Sequence, residues 1–196
     1  EIGAAFFDNP LVPGWKPFSV GKPFDVFQAA IFNEKKEVVA SGINGEIGVA
    51  GSGVLKGYLN DPDAFQNSMH RSYFMTGDLG YIDTDGFFHY VDRKKDIIIK
   101  AGVNIAPSQI DELLQSHPSV YEAATIGKRD SYLGETIKSF IILKENQAVE
   151  IKDLLSFCKA ELGDFKTPSE IEFVESLPKG PSGKILKREL RVRDES

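Results

Sequence analysis

Short apolar runs broken by glycine and small polar turns fill the first half of the chain. "FDVFQAAIF" (24–32) and "KEVVAS" (36–41) read as strands separated by the polar turn Asn33-Glu34-Lys35. "GEIGVAGSGVLKGY" follows, with glycines at 45, 48, 51, 53 and 57. "FMTGDLGYIDTDGFFHYVDR" (74–93) predicts two short strands around the hairpin signal Thr84-Asp85-Gly86. Short strands with glycine turns predict a small barrel or sandwich.

The pattern changes in the second half. "PSQIDELLQSHP" (107–118) predicts a helix capped by Ser108, with Asp111 three residues later and Ile110, Leu113 and Leu114 on one face. "VYEAATIG" and "TIKSFIILK" are strand-like. "IKDLLSFCKAELG" sets Ile151, Leu154, Leu155, Cys158 and Leu162 on one helical stripe, and "EIEFVES" predicts a further strand. Mixed helices and strands make an α+β unit. The predicted organisation is therefore a small β-rich, barrel-like part over residues 1–92 and a compact mixed domain over 93–196. The break falls at the charge cluster "DRKKD", residues 92–96.

Charge sharpens this division. Residues 1–91 hold 6 basic and 11 acidic side chains, and residues 92–196 hold 17 and 18. The net charge of −6 argues against a general nucleic-acid binder, which needs a basic face. Lys179 to Arg193 nonetheless carries six basic residues and only one acid, Glu189. Such an end fits either a phosphorylated ligand or a solvated helix face. The single cysteine, Cys158, excludes an intrachain disulfide, reads as a buried thiol and fits a reducing cytosol. No apolar run is long enough to span a membrane, and the given N-terminal stretch, "EIGAAFF", lacks the charged-then-apolar pattern of a secretory signal. The missing methionine leads us to expect a fragment or a processed chain.

Three short stretches carry candidate chemistry. In "TGD", a tight turn would expose the acceptor-only carboxylate of Asp78. That group suits a vicinal diol such as a ribose, or it bonds its own backbone. In "DRKKDIIIKAGVN", Arg93 offers planar donors for a hydroxyl or phosphate, Lys95 lies where a hinge would fall, and Gly102 permits close backbone approach; the plain alternative is surface charges and a turn. In "LPKGPSGKIL", only two residues separate Gly180 from Gly183 and Ile185 follows Lys184, so the spacing fails the nucleotide P-loop pattern. What remains is a lysine on a defined turn, able to present a compact positive charge.

Taken in order, "TGD", then "DR-x-K-D" leading into "G-x-x-I-x-P-x-x-I-D", then "LP-K-x-x-x-G-K-I" closely resembles the adenylate-forming superfamily of acyl-CoA synthetases, luciferases and nonribosomal-peptide adenylation domains. "GEIGVAGSGVLKGYLNDPDAF" resembles a further segment of that family. So does "LGDFKTP", in which Phe165 stands for the usual tyrosine. The resemblance implies the end of a large AMP-binding domain, followed by a mobile C-terminal domain. It implies ATP, Mg2+ and CoA as reactants, with Lys184 catalytic, Asp78 and Arg93 at the nucleotide, Lys95 the hinge, Gly102 beside the pantetheine tunnel and Glu1 at the metal. The implied parent is a cytoplasmic acid–CoA ligase of the kind acting on fatty or other organic acids. No Ser/Thr/Gly-rich phosphate loop occurs in the chain, so the missing N-terminal part is expected to be required for activity. A carrier-protein-loading adenylation domain and a non-catalytic binding module are the alternatives.

Overall fold

The computed structural model describes residues 5–7 and 14–194. By compactness the chain divides after Lys95, into Glu1–Lys95 and Asp96–Ser196. The fold is α+β.

In the first unit β1 (Phe6–Phe7) pairs with β2 (Lys22–Pro23). A five-stranded antiparallel sheet contains β3 (Phe27–Phe32), β4 (Gly45–Gly51), β5 (Met69–His70), β6 (Tyr73–Ile82) and β7 (Phe88–Arg93), with the short helix α1 (Pro62–Asn67) entering β5. Asp61 starts α1 by accepting the Ala64 N–H at 3.0 Å. Ile31, Ile47, Val49 and Phe88 form the buried side of the sheet. "KEVVAS" is not a strand: only Val38 forms an isolated bridge, to Phe32, because the turn at 33–37 folds it back for two residues before it leaves the sheet. The β6–β7 turn is held by the Asp83 carboxylate. Its Oδ1 accepts the Asp85 and Phe87 N–H groups at 2.9 and 3.0 Å, and its Oδ2 meets Lys16 and His89.

The second unit opens with a 3₁₀ turn (Lys94–Asp96) whose last residue is its first member. There follow β8 (Ile98–Lys100), β9 (Val103–Ile105), α2 (Pro107–Ser116), β10 (Val120–Asp130), β11 (Gly134–Leu143), α3 (Ile151–Lys166), β12 (Glu170–Phe173) and α4 (Lys187–Asp194). β11 lies centrally: β10 and β8 pair with it antiparallel, and β12, returning after α3, pairs with it parallel. Alternation along β10 and β11 sorts the core into two layers. Ala123, Ile137 and Ile141 meet Ile110 and Leu114 of α2 and Leu154 and Cys158 of α3. Ala124, Ile126 and Phe140 meet Leu190 of α4 and Leu177. Thr125 and Ser139, buried on neighbouring strands, share a hydrogen bond between their hydroxyls at 2.7 Å.

Helix details differ from expectation at three points. Ser108 does not cap α2; the cap is Ala106, and Pro107 takes the first turn, where its fixed φ is already helical and no N–H is needed. Ile151 is 39% exposed, because it sits at the first turn of α3, ahead of the part covered by the sheet. Near its end α3 breaks at Gly163 (φ 75°), and Thr167, ahead of Pro168, is already extended. Among the described residues no helix is long and apolar enough to cross a membrane.

Candidate functional site

The first candidate group lies in the first unit. Thr76-Gly77-Asp78 is not a turn between strands but a bulge inside β6, where the register against β4 shifts. Gly77 at φ 73° supplies the left-handed residue that the bulge needs. Three hydrogen bonds pin it: Thr76 Oγ1 donates to the Ile47 carbonyl at 2.8 Å, the Asp78 N–H donates to Thr76 Oγ1 at 3.1 Å, and the Gly77 N–H donates to Glu46 Oε1 at 3.1 Å. Asp78 and Arg93 are register partners across β6 and β7, and Arg93 Nη1 reaches Asp78 Oδ1 at 2.8 Å. The carboxylate therefore faces Arg93 rather than its own backbone. Both side chains keep solvent access, so a polyhydroxyl ligand can meet a carboxylate and a guanidinium side by side.

The second group lies in the second unit. Lys184 sits on a hairpin closed by the Lys179–Ile185 bridge. Inside it the Gly180 N–H donates to the Lys184 carbonyl and the Gly183 N–H to the Gly180 carbonyl, both at 2.9 Å, with Gly183 at φ 79°. Lys179 Nζ lies 2.9 Å from Glu122 Oε2 at the hairpin's base. Lys184 itself is exposed and pairs with no described carboxylate, so its ammonium is presented on an ordered loop.

The basic run after the hairpin is neither a free phosphate patch nor a wholly solvated face. Lys187 Nζ bonds Asp111 Oδ2 at 2.8 Å, with both side chains largely buried. Burial pushes the Asp111 carboxyl up to about 6 from its ordinary 3.8, outweighing the nearby ammonium that draws it down. One turn on, Arg191 Nη2 bonds Asp96 Oδ1 at 3.0 Å. Arg193 meets Glu172 at 2.6 Å. Lys138, whose side chain is 6% exposed, is ringed by Glu170, Glu172 and Asp194 at 2.7 to 2.9 Å. Burial alone would lower its pKa, but these carboxylates hold it above the usual lysine value.

The remaining candidates stand apart. Gly102 (φ 78°) and Ala101 (φ 47°) form the exposed two-residue turn joining β8 to β9, both positive as a type I′ hairpin requires. Lys100 lies beside it, with Nζ donating to the Phe165 carbonyl at 2.8 Å and sitting 5.0 Å from that ring's centroid. Lys95 is exposed and forms no ion pair with a described residue. Glu1, the expected metal ligand, lies outside the described residues. Among those described, no group of three His, Cys, Asp or Glu could hold a metal ion. Cys158 is fully buried, and burial pushes its thiol up to about 11.

Sequence reasoning missed Glu46, which bonds both the Gly77 amide and, through Oε2, Lys94 Nζ at 2.8 Å. It also missed the pairs made by Lys187 and Arg191. Their four-residue spacing in a basic helix, set against acids in other elements, was the available signal.

Residues 109–184 match the family of the AMP-binding enzyme C-terminal domain. The long-chain-fatty-acid–CoA ligase of Bacillus subtilis (strain 168) is 42% identical over 176 residues, covering 89% of this chain and 31% of the ligase. The sulfoacetate–CoA ligase of Cupriavidus necator is 40% identical over 192 residues, covering 97% of this chain and 38% of the ligase. Among solved structures, ATP-bound MatB from Rhodopseudomonas palustris superposes with a TM-score of 0.88 at 30% identity, over 94% of this chain and 37% of that one. The chain thus spans about a third of the length of the curated relatives it matches.

Proposed function

Because the chain belongs to the adenylate-forming, AMP-binding superfamily, we propose that it is the C-terminal region of an ATP-dependent acid–CoA ligase. The observation that carries this reading is the exposed ammonium of Lys184, which pairs with no described carboxylate, on a hydrogen-bonded hairpin, in a chain whose relatives are named as CoA ligases.

In the first half-reaction an oxygen of the acid attacks the α-phosphorus of ATP, and pyrophosphate leaves with the electrons of the broken P–O bond. The product is an acyl-adenylate. Lys184 supplies positive charge where the carboxylate and phosphate oxygens meet, and a donor placed in advance pays no reorganisation cost at that moment. Asp78 accepts from the ribose hydroxyls, and Arg93 both orients Asp78 and donates to the sugar. The bulge at Gly77 aims this pair.

In the second half-reaction the thiol of CoA attacks the acyl carbonyl and AMP leaves. The second unit turns about Lys95, Lys184 withdraws, and the Ala101-Gly102 turn faces the pantetheine arm. The absence of a side chain at Gly102 leaves that arm room; a Cβ there would meet nothing of the protein within 4 Å. Magnesium would accompany ATP, with Glu1 as the residue of this chain expected to help hold it.

The CoA reading is favoured over carrier-protein loading because the matched relatives are CoA ligases. It is tested by offering the full-length parent free CoA and a phosphopantetheinyl carrier protein. Acyl-CoA formation is expected, and transfer to the carrier alone would overturn it. The 196-residue chain by itself, which contains no Ser/Thr/Gly-rich phosphate loop, is expected to show no ATP–pyrophosphate exchange.

A further inference from the structure

The hairpin that carries Lys184 is a closed piece of backbone. Its Gly180 N–H donates to the Lys184 carbonyl at 2.9 Å, and the Leu186 N–H donates to the Pro178 carbonyl at 2.8 Å. Its two feet reach different elements of the second unit. At the first, Lys179 Nζ lies 2.9 Å from Glu122 Oε2 of β10. At the second, Lys187, the first residue of α4, places its Nζ 2.8 Å from Asp111 Oδ2 of α2. The apolar anchors alongside, Leu177, Ile185 and Leu190, all join one cluster. Apolar contact holds the hairpin down but has no direction. The ion pairs supply direction, because each carboxylate belongs to a separate element and a charge-assisted hydrogen bond is short and oriented.

The two pairs are unequal. The Lys179 and Glu122 side chains are 41% and 20% exposed, and so open a pair holds little. Those of Lys187 and Asp111 are 14% and 12% exposed. Stability alone does not account for the buried pair. Burial raises the Asp111 carboxyl to about 6, so keeping it ionised at pH 7 disfavours the folded state relative to the unfolded one. Apolar side chains of similar volume commonly replace such a pair with stability unchanged or raised. They would not, however, fix the start of α4 at one point.

We infer that Asp111 and Lys187 are positioning residues for Lys184, their ion pair setting where the hairpin presents that ammonium. The consequence for catalysis rests on the role proposed above for Lys184. A charge-stabilising donor works by lying in place before the reaction. A displacement of about 1 Å can cost on the order of 10² in rate.

The test is the double variant Asp111→Leu/Lys187→Met, which removes both charges and strands neither. In the full-length parent, kcat for acyl-adenylate formation should fall by about 10- to 100-fold, with KM for ATP and for the acid unchanged. CoA transfer from supplied acyl-adenylate, in which Lys184 has no part on that reading, should continue at its original rate. Lys187→Arg keeps a cation that can reach Asp111 and should retain most of the adenylation rate. Unchanged adenylation in the double variant would overturn the inference. So would an equal loss in both half-reactions, whatever the Tm, since that marks a merely structural pair. On the 196-residue chain, ¹⁵N relaxation should show lowered order parameters at the Gly180 and Gly183 amides of the double variant, with β10 and β11 staying near 0.85. Unchanged order in the hairpin would also overturn the inference. Should Lys184→Ala leave adenylation intact, the reading of Lys184 fails, while the hairpin amides still decide what the pair holds.

Discussion

Asp111 lies on the buried face of α2 with its side chain facing Lys187 at 2.8 Å, and burial raises its carboxyl from 3.8 to about 6. A folded-state value above the unfolded one means that the folded protein holds the proton more tightly. The associated stability is fully present below pH 3.8 and is lost as pH rises through 6. The whole effect, at 1.36 kcal/mol per pH unit, amounts to about 3 kcal/mol. Between pH 7 and pH 5 a little under half of it is recovered, because pH 5 lies about one unit below the folded value and still above the unfolded one; the gain is on the order of 1 kcal/mol. Glu170 and Asp130 act the other way in the same unit, since their values are lowered by Lys128 and by the Leu133 and Tyr132 amides respectively. Their contribution is lost only as pH falls toward and below their unfolded values of 4.5 and 3.8. The assay is urea unfolding at pH 5, 6 and 7, for the unaltered chain and Asp111→Asn, read by the exchange of β10 and β11 amides. Subtracting the variant's pH profile isolates Asp111. An unaltered chain no more stable at pH 5 than at 7 after that subtraction would refute the reasoning.

Other expectations concern packing, backbone and reactivity. Phe140, fully buried against α4, should cost about 3–5 kcal/mol when changed to Ala, with most of the second unit's cooperative melting lost. Gly77→Ala places a Cβ at φ 73° with nothing of the protein near it. It should therefore cost about 1–2 kcal/mol through backbone strain alone, seen as a lowered Tm and, in the parent, as weaker ATP binding. Cys158, fully buried with its thiol pushed up to about 11, should resist alkylation at pH 8 in the folded chain and react fully in urea.

Much of the strand and helix order was legible from period alone. Both "VYEAATIG" and "TIKSFIILK" form the strands they predict; β11 alternates between the two layers, whereas a bulge after Val120 interrupts the period of β10, so that Val120 and Ala123 share a layer. The reading went astray where a single contact decided the outcome. "KEVVAS" carries the β-branched residues of a strand, yet the turn that returns it to β3 pairs only Val38 with Phe32. The "TGD" glycine reads as a turn in the sequence, although a bulge uses the same left-handed residue; only the register between β4 and β6 tells the two apart. The candidate residues themselves stood out by type and order, but their partners did not. Glu46 precedes Gly77 by 31 positions and Asp96 precedes Arg191 by 95. No local pattern can encode which distant carboxylate a given cation will meet.

The central claim is that the Lys184 ammonium serves acid activation and not thioester formation. It is tested most directly by Lys184→Ala in a full-length parent, with each half-reaction measured separately. Acyl-adenylate formation is expected to fall by about 10²–10³, the usual effect of losing one charge-stabilising donor, while CoA transfer from supplied acyl-adenylate continues at its original rate. Equal losses in both half-reactions, or none in the first, would contradict it.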